Sequence, residues 1–164
     1  MTPTDRDEGD AMPAHGSKLI RNVLNQHLPT IERAEGVYIW DTDGHRYLDG
    51  SSGAVVTSLG HADPAVLAAL AEQARKATYT HRGAFTSRPA EDVAAELARL
   101  TGMAGVWLVG SGTEAVEAAL QFALQYWRET GHPQRTRFLS HAHGYHGGTM
   151  GALSLSGHAR RDNA

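Results

Sequence analysis

The sequence predicts an α/β protein in which a small α+β segment precedes the opening of a larger, doubly wound domain. The 164 residues are 41% hydrophobic and 20% charged, which is typical of a globular chain. In the first half, Asp43-Gly44 separates two runs of aromatic and β-branched residues and so predicts a β-hairpin. In the second half, two short apolar runs at 106–109 and 137–140 flank an amphipathic stretch, which is the order of a βαβ unit.

The small segment is predicted to occupy residues 17–85, after a polar and acidic arm over 1–16 that we expect to be disordered. Apolar spacing predicts a short helix over 17–28, and the glycines and small residues of 50–60 predict a loop. Asp63-Pro64 then signals a helix start, because aspartate caps well and proline suits the first helical position.

The large domain is predicted to begin at residue 86 and to continue to 164 with its sheet incomplete. A helix opens at Ser87 or Arg88 and ends at Gly102, and the βαβ unit follows with its helix over 112–127. Two parallel strands are too few for a stable sheet, so we expect this chain to be the front part of a longer protein.

Charge and composition exclude several kinds of binding partner and indicate the cellular compartment. A net charge of -3 argues against a nucleic-acid or anionic-membrane partner. The sequence has no cysteine, which excludes disulfides and thiolate metal sites. The chain lacks an apolar stretch of membrane-spanning length and the apolar core of a signal peptide, so a cytoplasmic protein is expected.

The first glycine-rich turn predicts an anion site. Ser111 and Glu114 have capping-box spacing, in which the serine hydroxyl accepts from the glutamate N–H and the glutamate reaches back. The N–H groups of Gly112 and Thr113 then lie at the positive end of the helix dipole, where a phosphate can bind. A capped helix that binds nothing is an equally simple interpretation. The turn also matches a dinucleotide fingerprint loosely, but a serine–histidine pair stands where that fold needs a ribose-binding acid.

The second glycine-rich turn, over 143–149, predicts a contact for a flat ring. Both turns follow predicted parallel strands, whose carboxyl ends share one crevice. Tyr145 can stack on a planar ligand there and His146 can form a hydrogen bond. Alternatively, Tyr145 packs beneath the sheet and the histidines are solvated. His141, His143 and His146 fit no metal-ligand spacing, so no metal site is expected.

Four segments together resemble one protein family, and they lie at 41–49, 59–64, 110–119 and 145–154. In this order they are similar to the class III (ω-type) aminotransferases, over about residues 36–157. The resemblance implies a truncated form of fold type I, the architecture of many pyridoxal-phosphate-dependent transferases. It also implies pyridoxal 5'-phosphate as the cofactor.

The resemblance assigns roles to eight residues of this sequence. Those that match the segment holding the cofactor phosphate are Ser111, Gly112 and Thr113. Those that match the aromatic residue stacked on the pyridine ring and the rest of its signature are Tyr145, His146 and Gly147. Those that fall in the family's loop beside the substrate pocket are Ser52 and Gly53.

Two essential family residues have no match, namely the Schiff-base lysine and the aspartate that pairs with the pyridine nitrogen. The only lysines, Lys18 and Lys76, both precede the phosphate turn. We therefore expect the isolated chain to be the inactive N-terminal fragment of an enzyme that moves an amino group from an amine or ω-amino acid to a keto acid. The family also implies a homodimer. The alternatives are a non-catalytic phosphate-ligand or interaction module derived from this fold, and a small nucleotide-binding enzyme.

Overall fold

The computed structural model describes residues 18–20 and 28–157, and it divides the chain into two compact units between Thr78 and Tyr79. The predicted arm over 1–16 and most of the predicted helix over 17–28 lie outside the described residues. Each unit is considered separately below.

The first unit contains a three-stranded antiparallel sheet in the order β1-β2-β3. Its strands are β1 (Ile31–Glu35), β2 (Tyr38–Asp41) and β3 (Arg46–Leu48). The hairpin prediction is confirmed, because β2 and β3 are joined through Asp43-Gly44 and Gly44 has φ 82°. Strand β1 was not predicted, because three of its five residues are charged and they do not alternate regularly with the apolar ones.

Asp41 organises the hairpin turn. Its carboxylate accepts hydrogen bonds from the N–H groups of Asp43 and His45 and from the Tyr47 hydroxyl at 2.6 Å. The Tyr47 hydroxyl and then the His45 N–H keep the pKa of Asp41 below its usual value against the opposing effect of burial. The Asp41 carboxylate therefore stabilises the hairpin turn.

Two helices complete the described part of the first unit. Helix α1 (Ser52–Val55) is distorted, because Gly53 and Ala54 leave the helical region. The segment 50–60 is otherwise irregular, so its prediction as mainly a loop is confirmed. Helix α2 (Pro64–Lys76) begins as predicted, since the Asp63 carboxylate accepts from the first-turn N–H groups at 2.9 and 3.0 Å.

The second unit contains α3 (Arg88–Thr101), α4 (Gly112–Glu129) and α5 (Met150–Leu155). Helices α3 and α4 confirm the predictions, and Gly102 ends α3 in the left-handed conformation with φ 71°. Helix α5 was not predicted, because its six residues are too few for an apolar period to stand out. Within the described part of the chain, none of the helices has both the length and the apolar character needed to cross a bilayer.

The predicted parallel strands at 106–109 and 137–140 are wrong as paired elements. Neither segment joins a sheet within the described ranges. A strand needs a neighbour for its backbone hydrogen bonds, and these segments have none there. Their apolar side chains are correspondingly uncovered: Trp107 is 53% exposed and Leu139 is fully exposed. Ala152 is the one buried hydrophobic residue among those described.

Candidate functional site

Ser111 precedes helix α4 and caps its N-terminus. Its hydroxyl accepts a hydrogen bond from the Glu114 N–H at 3.2 Å, as predicted. The Glu114 carboxylate does reach back, but it accepts from the Gly110 N–H at 2.7 Å rather than from Ser111. The cap fixes the first turn of α4 without using every donor at the helix start.

The N–H groups of Gly112 and Thr113 remain available in this turn, with no acceptor supplied from within 28–157. A Cβ built on Gly112 would meet nothing within 4 Å, so the space above the helix start is open. The helix dipole gives this space positive character. The first turn therefore has both the donors and the room that a phosphate needs.

The second glycine-rich turn lies directly against the first. Gly147 is buried, and a Cβ there would overlap the Thr113 hydroxyl and approach Ala152 to 3.0 Å. The Gly148 N–H donates to the Thr113 hydroxyl at 3.3 Å, which leaves the Thr113 proton free to be donated elsewhere. The structure thus brings Thr113 together with Gly147, as the crevice prediction requires, although the predicted sheet is not formed.

The residues on both sides of Tyr145 are hydrogen-bonded to the end of α5 and the residue after it. The His146 N–H donates to the Ser156 hydroxyl at 2.9 Å, and the Gly157 N–H donates to the Gly144 carbonyl at 2.9 Å. These two bonds fix the backbone on both sides of Tyr145, whose side chain is 75% exposed. Tyr145 is therefore largely exposed to solvent and does not pack beneath a sheet of the described residues.

The His146 imidazole folds back against Gly144, where a Cβ would lie 2.8 Å from Nε2. This Nε2 atom is buried and has no hydrogen-bond partner in the portion of the chain that the structure covers. A buried polar atom without a partner costs free energy, and a ligand group could offset that cost.

The predicted substrate loop belongs to the first unit. Ser52 and Gly53 both have positive φ, at 51° and 71°. The Asp49 carboxylate fixes this loop by accepting from the Gly53 N–H and the His61 Nε2, each at 2.9 Å. The His61 contact is the main cause that lowers the pKa of Asp49. The loop is therefore held in a backbone conformation that is strained at Ser52.

An open hollow of about 640 Å³ lies beside the start of α4. Arg82 and residues 107–110 line it, together with Glu114 and Glu117 from the helix. The predicted site residues at 111–113 and 145–147 are not among its lining residues. The Arg82 Cζ atom lies 4.6 Å from the centroid of the Trp107 ring, so the guanidinium charge contacts an aromatic face.

Glu117 is a polar residue of the site region that sequence reasoning missed. Its carboxylate accepts from the Thr149 hydroxyl, and from the Ala152 N–H at 3.0 Å. The Thr149 hydroxyl and then the Ala152 N–H lower the pKa of Glu117. The available signal was its position four residues after Thr113, which places both side chains on one face of α4.

Comparison with known proteins finds aminotransferases. An uncharacterized aminotransferase of Bacillus subtilis, YodT, is 44% identical over 88% of this chain and 33% of its own length. The acetylornithine aminotransferase of Bifidobacterium longum is 38% identical over 85% of this chain and 34% of its own. This chain therefore spans about a third of the length of these curated relatives.

Solved structures point the same way. An amine transaminase from an uncultivated Pseudomonas species, solved with pyridoxal phosphate bound, is 34% identical with a TM-score of 0.79, over 98% of this chain and 35% of that one. A family model described as aminotransferase class-III matches residues 20–163. The chain therefore belongs to the class III aminotransferases, a pyridoxal-phosphate family, and its fold is part of their fold type I architecture.

Proposed function

We propose that this chain supplies the phosphate and ring contacts for pyridoxal phosphate in an enzyme that moves an amino group from an amine or ω-amino acid to a keto acid. The observation that carries the proposal is the contact of Thr113 with Gly147 and Gly148, because it joins an anion-binding turn to the turn that presents an aromatic ring. The complete protein is proposed to be a cytoplasmic homodimer without nucleic-acid or membrane partners.

The residues present fit the cofactor. Pyridoxal phosphate is a flat ring with an anionic arm, and when bound it supplies an electron sink for amino-group chemistry. The open first turn of α4 suits the phosphate, with N–H donors at Gly112 and Thr113 and the Thr113 hydroxyl proton. The exposed Tyr145 ring suits stacking, and the unpartnered His146 Nε2 offers a further polar contact.

Substrate selection is proposed to involve the loop at Ser52 and Gly53. This proposal rests on the family resemblance and on the way Asp49 holds the loop from both Gly53 and His61. A loop fixed in this way presents its small side chains in one arrangement, which is what a specificity surface needs.

Replacing Thr113 by alanine tests the phosphate contact. We expect pyridoxal phosphate to bind this chain more weakly by about 1–3 kcal/mol, because a hydrogen bond to a charged group is lost. The measurement is the dissociation constant from the visible absorption of the cofactor. Thr130→Ala at the other end of α4 is the control, since the Thr130 hydroxyl donates only to helix carbonyls. Unchanged affinity of Thr113→Ala would remove this hydroxyl from the site.

A further inference from the structure

Two polar side chains on one face of α4 hold the segment that carries Tyr145. Thr113 and Glu117 are four residues apart, so they lie one above the other on the helix. Thr113 accepts from the Gly148 N–H, while Glu117 accepts from the Thr149 hydroxyl and the Ala152 N–H. Among the described residues, the hydrogen bonds that join α4 to residues 148–152 are therefore all made on this single stripe.

Glycines opposite the two side chains make the close approach possible. A Cβ on Gly147 would overlap Thr113, and a Cβ on Gly151 would come within 2.5 Å of a Glu117 carboxylate oxygen. Gly147 and Gly151 are also four residues apart. A side chain at Gly147 or Gly151 would therefore require Thr113 or Glu117 to shift.

Helix α5 depends on Glu117 for its start. The helix has six residues, and the Thr149 side chain at its N-cap makes no capping bond of its own. So short a helix is not stable without tertiary contacts. The Glu117 carboxylate supplies the acceptor from the neighbouring helix and places a negative charge at the positive end of α5.

The far end of α5 leads back to Tyr145. Ser156 at the C-cap is fully buried, donates to the Ala152 carbonyl at 3.1 Å and accepts from the His146 N–H. Gly157, the next residue, bonds to Gly144. A shift of α5 would therefore be passed directly to the backbone on both sides of Tyr145.

We propose that Glu117 is a positioning residue of the cofactor site, which holds α5 on α4 and so sets the place of Tyr145 relative to the turn at 111–113. This inference rests on the proposed function. The hydrogen bonds of Glu117 are made with Thr149 and Ala152, which belong neither to the turn at 111–113 nor to Tyr145. Replacing Glu117 should therefore weaken the binding of ligands that contact both turns. It should leave unchanged the binding of ligands that contact only the first turn.

Four variants of the full chain test this role. E117Q removes the charge at constant size, and T149V removes only the hydroxyl donor, which keeps the test available if E117Q does not fold. T149S retains the hydroxyl. E129Q changes a glutamate in the last turn of the same helix, which accepts only from Gln125 at 2.8 Å. The measurements are amide hydrogen exchange at His146 and Gly157 without ligand, and dissociation constants for pyridoxal phosphate and for inorganic phosphate.

We expect E117Q and T149V to exchange these two amides about tenfold faster and to bind pyridoxal phosphate about tenfold more weakly, with inorganic phosphate within about twofold. T149S and E129Q should match the parent chain. Unchanged exchange in E117Q, or an equal loss for both ligands, would overturn the positioning role. If the parent chain does not bind pyridoxal phosphate, the proposed function fails for this segment, and the exchange rates alone still decide the role of Glu117.

Discussion

The Gly147→Ala variant is expected to lose the contact between the two turns. The added Cβ would overlap the Thr113 hydroxyl and press on Ala152 at a buried position. Gly147 also has φ 132°, a backbone conformation that residues with a Cβ rarely adopt. Backbone strain costs about 1–3 kcal/mol and overpacking a further ~1–3 kcal/mol. We expect affinity for pyridoxal phosphate to fall by about a hundredfold or more.

The neighbouring glycine provides the matched control for this change. A Cβ on Gly148 would meet nothing within 4 Å, and alanine keeps the N–H that donates to Thr113. Gly148→Ala should therefore bind the cofactor about as well as the parent chain. Absorption titrations of both variants give the comparison. Equal affinities for the two would contradict the close approach of Gly147 to Thr113.

The second large effect concerns turnover. The 164-residue chain is expected to show no repeated amino transfer, so its turnover rate should lie below the limit of detection. We propose that amino transfer needs a lysine as covalent anchor and proton carrier. The family resemblance implies that this lysine follows the phosphate turn, whereas Lys18 and Lys76 both precede it. Lys76 moreover forms an ion pair with Glu72 at 2.6 Å on helix α2.

The assay supplies an amine, a keto acid and pyridoxal phosphate, and follows keto product over several turnovers. Protein carrying the same reading frame past codon 164 is the comparison, and it should turn over if that frame encodes the lysine. Binding without turnover in the short chain is the expected pattern. Sustained turnover by the short chain would show that another group does the work assigned to the lysine.

Elements with local signals could be predicted from the sequence. The hairpin follows from the glycine of Asp43-Gly44, and α2 follows from the Asp63 cap and the proline after it. Helices α3 and α4 combine an apolar period with a capping residue or a terminal glycine. The cap that Ser111 forms with Glu114 at the start of α4 could also be predicted, because a capping box involves only near neighbours.

Features that depend on distant contacts could not be predicted in this way. Apolar runs at 106–109 and 137–140 have the composition of strands, but pairing depends on neighbours that the described residues do not supply. Helix α5 is stabilised by Glu117, which lies more than thirty residues earlier in the chain. That contact is visible only once α4 and the second turn are placed together.

One titration tests the central claim most directly. Pyridoxal phosphate is added to the isotopically labelled chain, and the NMR signals of the Gly112 and Thr113 amides and of the Tyr145 ring are followed. We predict that all three shift with a single dissociation constant, whereas inorganic phosphate moves the two amides and leaves the ring unchanged. Shifts confined to one turn, or different dissociation constants for the turn and the ring, would contradict a shared cofactor site.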